Sequence, residues 1–364
     1  MNEEIKNEVT EEIKTEAAAP EQPVHKRRVR YSGTHPKKYE EKYKELNPKK
    51  YAGDVEKIIQ SGKTPAGMHI PIMVNEILDF LDIQPGQIGY DATLGYGGHT
   101  SKMLEKLQGS GHLYATDVDP IESVKTEKRL REAGYGEDIF TVKRINFRNI
   151  DTVADEEFDF VLADLGVSSM QIDNPERGFT FKYDGPLDLR LDPTKGETAA
   201  QRLKQLSYAE MVGMLEENSD EPYARQIAAA IMRAYKSGKP VETTKQLYEI
   251  IENALSFLPK KERKDTVKKS SQRVFQALRI DINSEFEVLY EFLEKLPDAV
   301  KSGGRIAILT FHSGEDRLVK KAFKEGLKEG IYSDAARDVI RPSAEECYNN
   351  PRSKSTKMRW AIVK

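Results

Sequence analysis

Three regions of the chain gather residue types that could hold a small molecule and act on it. The first is Tyr90–His99, Tyr-Asp-Ala-Thr-Leu-Gly-Tyr-Gly-Gly-His. An apolar approach from Ile88 ends at Asp91, a glycine-rich turn follows, and a helical pattern runs from Thr100 to Leu107. Gly95, Gly97 and Gly98 allow positive φ and close approach to a ligand, and the start of the helix offers unpaired N–H groups. Such a strand, loop and helix cradles a nucleotide-like cofactor. Spacing alone separates S-adenosylmethionine from a dinucleotide poorly, because Gly-x-Gly-x-x-Thr lies close to the dinucleotide fingerprint.

The second region is Ala-Thr-Asp-Val-Asp, where Asp117 ends a strand 22 residues after Gly95. A carboxylate there can accept both ribose hydroxyls of either cofactor. Asp119-Pro120 starts the next helix, and Phe147, just past a third strand, can pack on an adenine ring. The third region is Phe158–Ser169, Phe-Asp-Phe-Val-Leu-Ala-Asp-Leu-Gly-Val-Ser-Ser, which carries Asp164 to a strand end. Farther on, Arg305–Phe311 ends in His312-Ser313-Gly314-Glu315, placing a histidine suited to proton transfer or phosphate binding at another strand end. Arg352, Lys354 and Lys357 lie in a basic, hydroxyl-rich loop able to clamp RNA.

These groups need a scaffold. Val74, Ile77, Leu78 and Leu81 recur at helical spacing before a Pro85-Gly86 turn, and Leu113–Val118 and Phe140–Ile145 read as strands with a charged helix between them. Alternating strands and helices imply a parallel sheet covered on both faces, with the ligand at the strands' carboxyl ends. Gln171 to Asp192 is too polar and too rich in glycine and proline for a buried strand. It reads as a long ordered loop bearing Arg177, Asp184, Asp188, Arg190 and Asp192. Ala199 to Leu296 reads as helices at Tyr208–Glu217, Tyr223–Lys236, Thr244–Leu255 and one long helix near Ser270–Leu296: an all-helical insertion. Between Pro222 and Ile280 it carries thirteen Lys/Arg against five Asp/Glu, a face able to meet a phosphate backbone. The sheet then resumes at Gly303–Phe311 and ends with Met358–Val363.

Composition narrows the class. A length of 364 residues is enough for about two domains, and no apolar run approaches the ~20 residues of a membrane span. No secretory signal pattern appears at the acidic N-terminus. The only cysteine, Cys347, excludes an intrachain disulfide and a cysteine-rich zinc site; no metal is expected, and the usage fits a cytoplasmic protein. Residues 1–24 hold seven Glu against two Lys and read as a disordered acidic tail. From His25 to Thr64 the sign reverses, with twelve Lys/Arg against five Asp/Glu interleaved with Tyr31, Tyr39, Tyr43 and Tyr51. That mixture suits RNA, although a solvated helix over Lys37–Lys44 would look the same.

Taken together, His69-Ile-Pro, Asp91–His99, Asp164-Leu-Gly-Val-Ser-Ser, Glu176-Arg-Gly-Phe, Asp184-Gly-Pro-Leu-Asp-Leu-Arg, Phe275-Gln-Ala-Leu-Arg-Ile, Phe311-His-Ser and Asn350-Pro-Arg-Ser occur in a recognisable order. In this the chain resembles the bacterial small-subunit rRNA cytosine-N4 methyltransferases, the MraW or RsmH family. The resemblance spans about His69 to Lys364. It implies S-adenosyl-L-methionine as cofactor, a Rossmann-like class I methyltransferase sheet, and 16S rRNA or the small ribosomal subunit as partner, with cytosine 1402 as target. The division implied is an extension (1–64), a first part of the core (65–172), a helical substrate-recognition insertion (173–285) and a second part of the core (286–364).

By motif, the resemblance implies cofactor contacts at Gly97, Gly98, His99, Asp117, Phe147, Asp164 and Gln171. Candidate substrate contacts are Ser168, Ser169, Arg177, His312, Arg352 and Lys354. Two positions depart from the pattern: Met170 replaces the usual proline, and Gly314 stands where leucine usually follows His-Ser. Asp164 is the expected catalytic group, orienting the amine; the alternatives are a backbone carbonyl in Leu165–Val167 in that role, or an Asp164 that only holds the cofactor, as the family's binding pattern implies. The rival readings are a dinucleotide-dependent oxidoreductase, a paralogous methyltransferase with another RNA target and a non-enzymatic RNA-binding or assembly protein. A homodimer is compatible with the sequence, and nothing in it requires one.

Overall fold

The computed structural model describes residues Pro71–Lys364; the readings made for residues 1–64, and for His69 and Ile70, lie outside the described residues. Helix α1 (Val74–Leu81) precedes β1 (Ile88–Asp91), α2 (Gly98–Leu107), β2 (His112–Thr116), α3 (Glu122–Glu132) and β3 (Phe140–Lys143). After a 3-10 turn at Phe147–Thr152 come β4 (Phe158–Asp164) and the short α4 (Ser169–Asp173). Five helices then run as α5 (Ala199–Gln205), α6 (Tyr208–Ser219), α7 (Ala224–Lys236), α8 (Thr244–Ala254) and α9 (Lys260–Asn283). The chain returns through α10 (Glu285–Lys295) to β5 (Val300–Thr310), α11 (Ser313–Glu329), β6 (Tyr332–Ala335), α12 (Ala344–Asn349) and β7 (Lys357–Val363).

The strands form one seven-stranded sheet in the order β3-β2-β1-β4-β5-β7-β6. Pairing is parallel from β3 to β5, as alternating strands and helices imply, but β7 runs antiparallel to both β5 and β6. The mixed edge differs from the all-parallel expectation. The link from β6 to β7, residues 336–356, holds only the short α12 and a 3-10 turn rather than a full crossover helix, and β7 pairs antiparallel with both neighbours.

Period-two burial sorts the core into two layers. Val161, Ala163, Ile306 and Ile308 face one side, packed with Leu289, Phe292 and Val319 from α10 and α11. Phe160, Leu162, Ala307 and Leu309 face the other, against Ile77, Met103, Leu104 and Leu107 from α1 and α2. A third cluster, including Leu203, Leu215, Ile227, Leu247, Val274 and Leu278, belongs to the helices inserted between β4 and β5. The insertion thus has its own core.

The expected long helix at Ser270–Leu296 is two helices. It begins at Lys260 and breaks at Ser284, which adopts left-handed φ 50°, so that α10 can turn back onto the sheet. Neither glycine nor proline marks that break. The departure at Gly314 has a steric reason: a Cβ there would lie 2.5 Å from Phe286 Cζ, so the Phe286 ring occupies the room a leucine would need. Among the described residues no helix is long and apolar enough to cross a membrane.

Candidate active site

The strand order reverses direction between β1 and β4, and the carboxyl ends of these neighbouring strands open a crevice, the place where α/β sheets bind ligands. Asp91 closes β1 and is buried. Its Oδ2 accepts from the Thr100 hydroxyl at 2.6 Å and its Oδ1 from the Thr93 amide at 3.0 Å, tying the strand end to the loop and to α2. Burial raises its pKa, while the Thr100 bond opposes the rise. The Thr93 hydroxyl in turn accepts from the Asp164 amide at 2.7 Å, joining the ends of β1 and β4.

Helix α3 holds the glycine loop from behind. The Thr126 hydroxyl donates to the Gly95 carbonyl at 2.8 Å, and the Arg129 guanidinium donates to the Tyr96 carbonyl. Gly97 has φ 68°, and a Cβ there would lie 2.8 Å from Thr126 Cγ2, so its bareness serves the turn and the packing on α3. Both oxygens of Asp117 are held by backbone, accepting from the Gly95 amide at 2.7 Å and the Asp119 amide at 2.8 Å. Burial pushes the Asp117 pKa up to about 6, with those two amides pulling against it and Asp119 and Asp91 adding repulsion.

Asp164 stands at the centre. Its Oδ2 is 3.4 Å from His99 Nδ1, while its Oδ1 is buried and has no hydrogen-bond partner among the described residues. His99 Nε2 lies 2.9 Å from the Ile72 carbonyl. Burial opposes a charge on His99, but Asp164, the Ile72 carbonyl and Asp91 outweigh it and raise its pKa above the ordinary histidine value.

Around these groups lies a cavity of about 750 Å³. Gly98, His99, Asp117, Phe147, Asp164, Ser168, Ser169, Gln171, His312, Arg352 and Lys354 line it; Gly97 and Arg177 do not. Phe147 presents a ring braced edge-on by Phe292 at 5.1 Å. Ser168 and Gln171 cap α4 reciprocally: the Gln171 amide donates to Ser168 Oγ and the Ser168 amide to Gln171 Oε1, at 3.1 and 3.0 Å. The Met170 departure therefore leaves Gln171 fixed, and its Nε2 donates to Asp119 Oδ2 at 3.1 Å.

Arg177, expected on the substrate side, is buried as a bracket. It donates to Asp119 Oδ2 at 2.6 Å and to the carbonyls of Arg190 and Leu191 at 3.1 and 2.8 Å. This guanidinium holds the Asp119 carboxyl below its ordinary pKa against the effect of burial. Asp188 and Arg190 of the same polar loop pair with each other at 2.8 Å.

His312 caps α11, accepting from the Glu315 amide at 3.4 Å through Nδ1. Its Nε2 lies 3.1 Å from Glu315 Oε1 without hydrogen-bond alignment. Arg352 lines the cavity while donating to Asp173 Oδ1 at 2.7 Å. Lys354 makes no ion pair with any described residue, whereas Lys357 of the expected clamp is turned to Asp316 at 2.8 Å.

One wall has no role assigned in the sequence reading, although Phe275-Gln-Ala-Leu-Arg-Ile stands in its motif pattern. Gln272, Phe275, Gln276, Arg279 and Asn283 of α9 line the cavity opposite the glycine loop. Polar residues recurring at 272, 276, 279 and 283 on a helix half that is otherwise buried were the available signal. Arg279 grips Glu285 with two bonds at 2.7 and 2.9 Å, which already balances the charge where Glu285, His312 and Glu315 converge.

The glycine loop, the carboxylate at the end of β2 and the reversed β7 place the chain in the Rossmann-like class I methyltransferases. The chain belongs to the MraW methylase family, whose model matches residues 66–364. It is 67% identical over 344 residues to the ribosomal RNA small subunit methyltransferase H 1 of Agathobacter rectalis, covering 94% of this chain and 99% of that protein. The protein of the same name from Lachnoclostridium phytofermentans is 63% identical, with 94% of each chain covered. The ribosomal RNA small subunit methyltransferase H of Thioalkalivibrio sulfidiphilus is 39% identical over 83% of this chain and 98% of its own.

The family's cofactor is S-adenosyl-L-methionine, and the dinucleotide alternative falls. The donor set agrees with it. Asp117 offers a carboxylate for ribose, Phe147 an aromatic face for adenine, and Asp164 an unsatisfied buried acceptor, within a volume of ordinary ligand-site size.

Proposed function

We propose that this protein transfers a methyl group from S-adenosyl-L-methionine to the N4 amine of one cytosine in 16S rRNA, the family's cytosine 1402. The relatives' names supply the RNA class. The observation that supports the chemistry is Asp164 Oδ1, a buried acceptor without a partner at the meeting point of the glycine loop, the β4 end and the insertion.

The cofactor, when bound, supplies an electrophilic methyl on a sulfonium. Gly97, Gly98 and His99 would form the turn beside it, Asp117 would accept from its ribose hydroxyls and Phe147 would pack on its base, while Gln171 steadies Asp119 beneath. The amine of cytosine is a poor nucleophile because its lone pair is delocalised into the ring. Asp164 Oδ1 accepts a hydrogen bond from one N4–H, which builds lone-pair density on nitrogen and aligns it for in-line attack. The surplus proton leaves to water after transfer.

The target base must leave its stack to reach this depth. The wall of α9, with Phe275 flanked by Gln272 and Gln276, and the side chains of Ser168, Ser169 and His312 enclose the space for it. Arg352 and Lys354 at the rim, with the exposed lysines at the start of α9, meet the flanking phosphates.

Incubating the protein with methyl-labelled cofactor and small ribosomal subunits, then mapping the product with nuclease, tests this reading. One labelled N4-methylcytidine is the expected result; label on another base or atom overturns it. Asp117 adds a pH signature. Only its ionised form accepts two hydroxyls, and with its pKa pushed up to about 6 the ionised fraction shrinks as pH falls through that value. Calorimetric cofactor Kd is therefore expected to be flat above neutrality and to rise about tenfold per pH unit below 6. Asp117→Asn should bind more weakly and lack this slope.

A further inference from the structure

The His99 ring is nearly enclosed, and both of its nitrogens face acceptors: Nε2 the Ile72 carbonyl at 2.9 Å, Nδ1 the Asp164 carboxylate at 3.4 Å. A neutral imidazole donates from one nitrogen only and turns a lone pair towards the other acceptor. The charged groups that act on the ring are Asp164 at the end of β4 and Asp91 at the end of β1. Asp91 already accepts from Thr93 and Thr100, so the Asp164 carboxylate is the one left for the ring to hold. The doubly protonated ring is thus the form that satisfies every contact around it.

We propose that His99 is a positioning residue which, as an imidazolium, grips Oδ2 of Asp164 and so fixes Oδ1 towards the amine to be methylated. This deepens the reading of Asp164 given above and rests on it. The backbone beneath is pinned independently, because the Asp164 amide donates to Thr93 Oγ1 at 2.7 Å. With the main chain fixed by Thr93 and one carboxylate oxygen by His99, the remaining freedom of the side chain, rotation about its last bond, is removed. Loss of the ring proton at high pH breaks one of the two contacts and returns that freedom.

Two variants separate the contacts. In His99→Asn the amide nitrogen falls near the position of Nδ1, keeping a donor for Asp164 without charge. In His99→Gln it falls near Nε2, keeping the tether to Ile72 and losing Asp164. Turnover of His99→Gln at saturating cofactor is expected to fall about tenfold or more, as for loss of an interaction made in the transition state. His99→Asn should recover much of that loss and lack the alkaline limb of the wild-type kcat profile.

Nitrogen-15 NMR of the histidines, with His99 assigned by its loss in the Gln variant, should show both ring nitrogens protonated at neutral pH in the wild type. In Asp164→Asn that titration should move to lower pH. A neutral His99 ring at pH 7, or undiminished turnover in His99→Gln, overturns the proposal. Failure of the underlying reading would appear elsewhere, as full turnover in Asp164→Asn, while the NMR titration tests the pairing without reference to activity.

Discussion

Replacing Asp164 by Asn is expected to lower the rate of methyl transfer by about two to three orders of magnitude, the range found when one preorganised polar group is removed from a transition state. The substitution changes almost no volume. Its severity comes from direction: the donor at His99 Nδ1 selects the amide oxygen, leaving the amide NH2 in the place of the unpartnered Oδ1. A donor would then face the N4–H donor of the base. Single-turnover methylation with saturating cofactor measures the loss, and cofactor Kd measured beside it separates this role from one in holding the cofactor. Turnover near wild type would remove Asp164 from the chemistry.

Arg177→Ala is the second large effect, and it falls on stability. Asp119 has 1% of its side chain exposed, and its Oδ2 accepts from both Arg177 and Gln171. Removing the guanidinium leaves a buried carboxylate with an amide in place of a cation, a change that costs about 3–5 kcal/mol. For a chain of this size the thermal midpoint should fall on the order of 10 °C. The pH dependence has a definite sign. Because the Asp119 pKa is lowered in the folded protein, the pair stabilises fully above the ordinary aspartate value and loses its contribution as pH falls through the lowered one. The gap between wild type and variant should therefore close in acid; a gap that widens there would contradict the assignment.

Asp164 and Arg177 also mark what a sequence can and cannot disclose. Asp164 is visible because five mostly apolar residues lead to it and a glycine follows, so its place at a strand end is a matter of periodicity. Arg177 sits in a polar loop where nothing local distinguishes a substrate-facing guanidinium from a buried one; its partner is 58 residues away. Ser168 and Gln171 carry a local signal that a ligand reading overlooks, since Ser-x-x-Gln before a helix is a capping box. The break at Ser284 has no such sign, because a serine in the left-handed region is held there by the packing of α10 on the sheet. The strand order and the reversed β7 depend on pairings across distant sequence, and the short edge strand β6 has too few residues to show a period.

The place of β7 has a consequence for how the molecule is born. It lies between β5 and β6, both of which are made before it. Until residues 357–363 have left the ribosome, β5 presents an unpaired edge and β6 has no neighbour, a state that invites the wrong partner. The same late stretch follows the Pro351–Ser355 turn that walls the cavity, and Met73 at the start of α1 donates to Glu346 on α12, 273 residues away. A nascent chain can therefore assemble the glycine loop early, but the room in which a base would be read closes only when the distant end arrives.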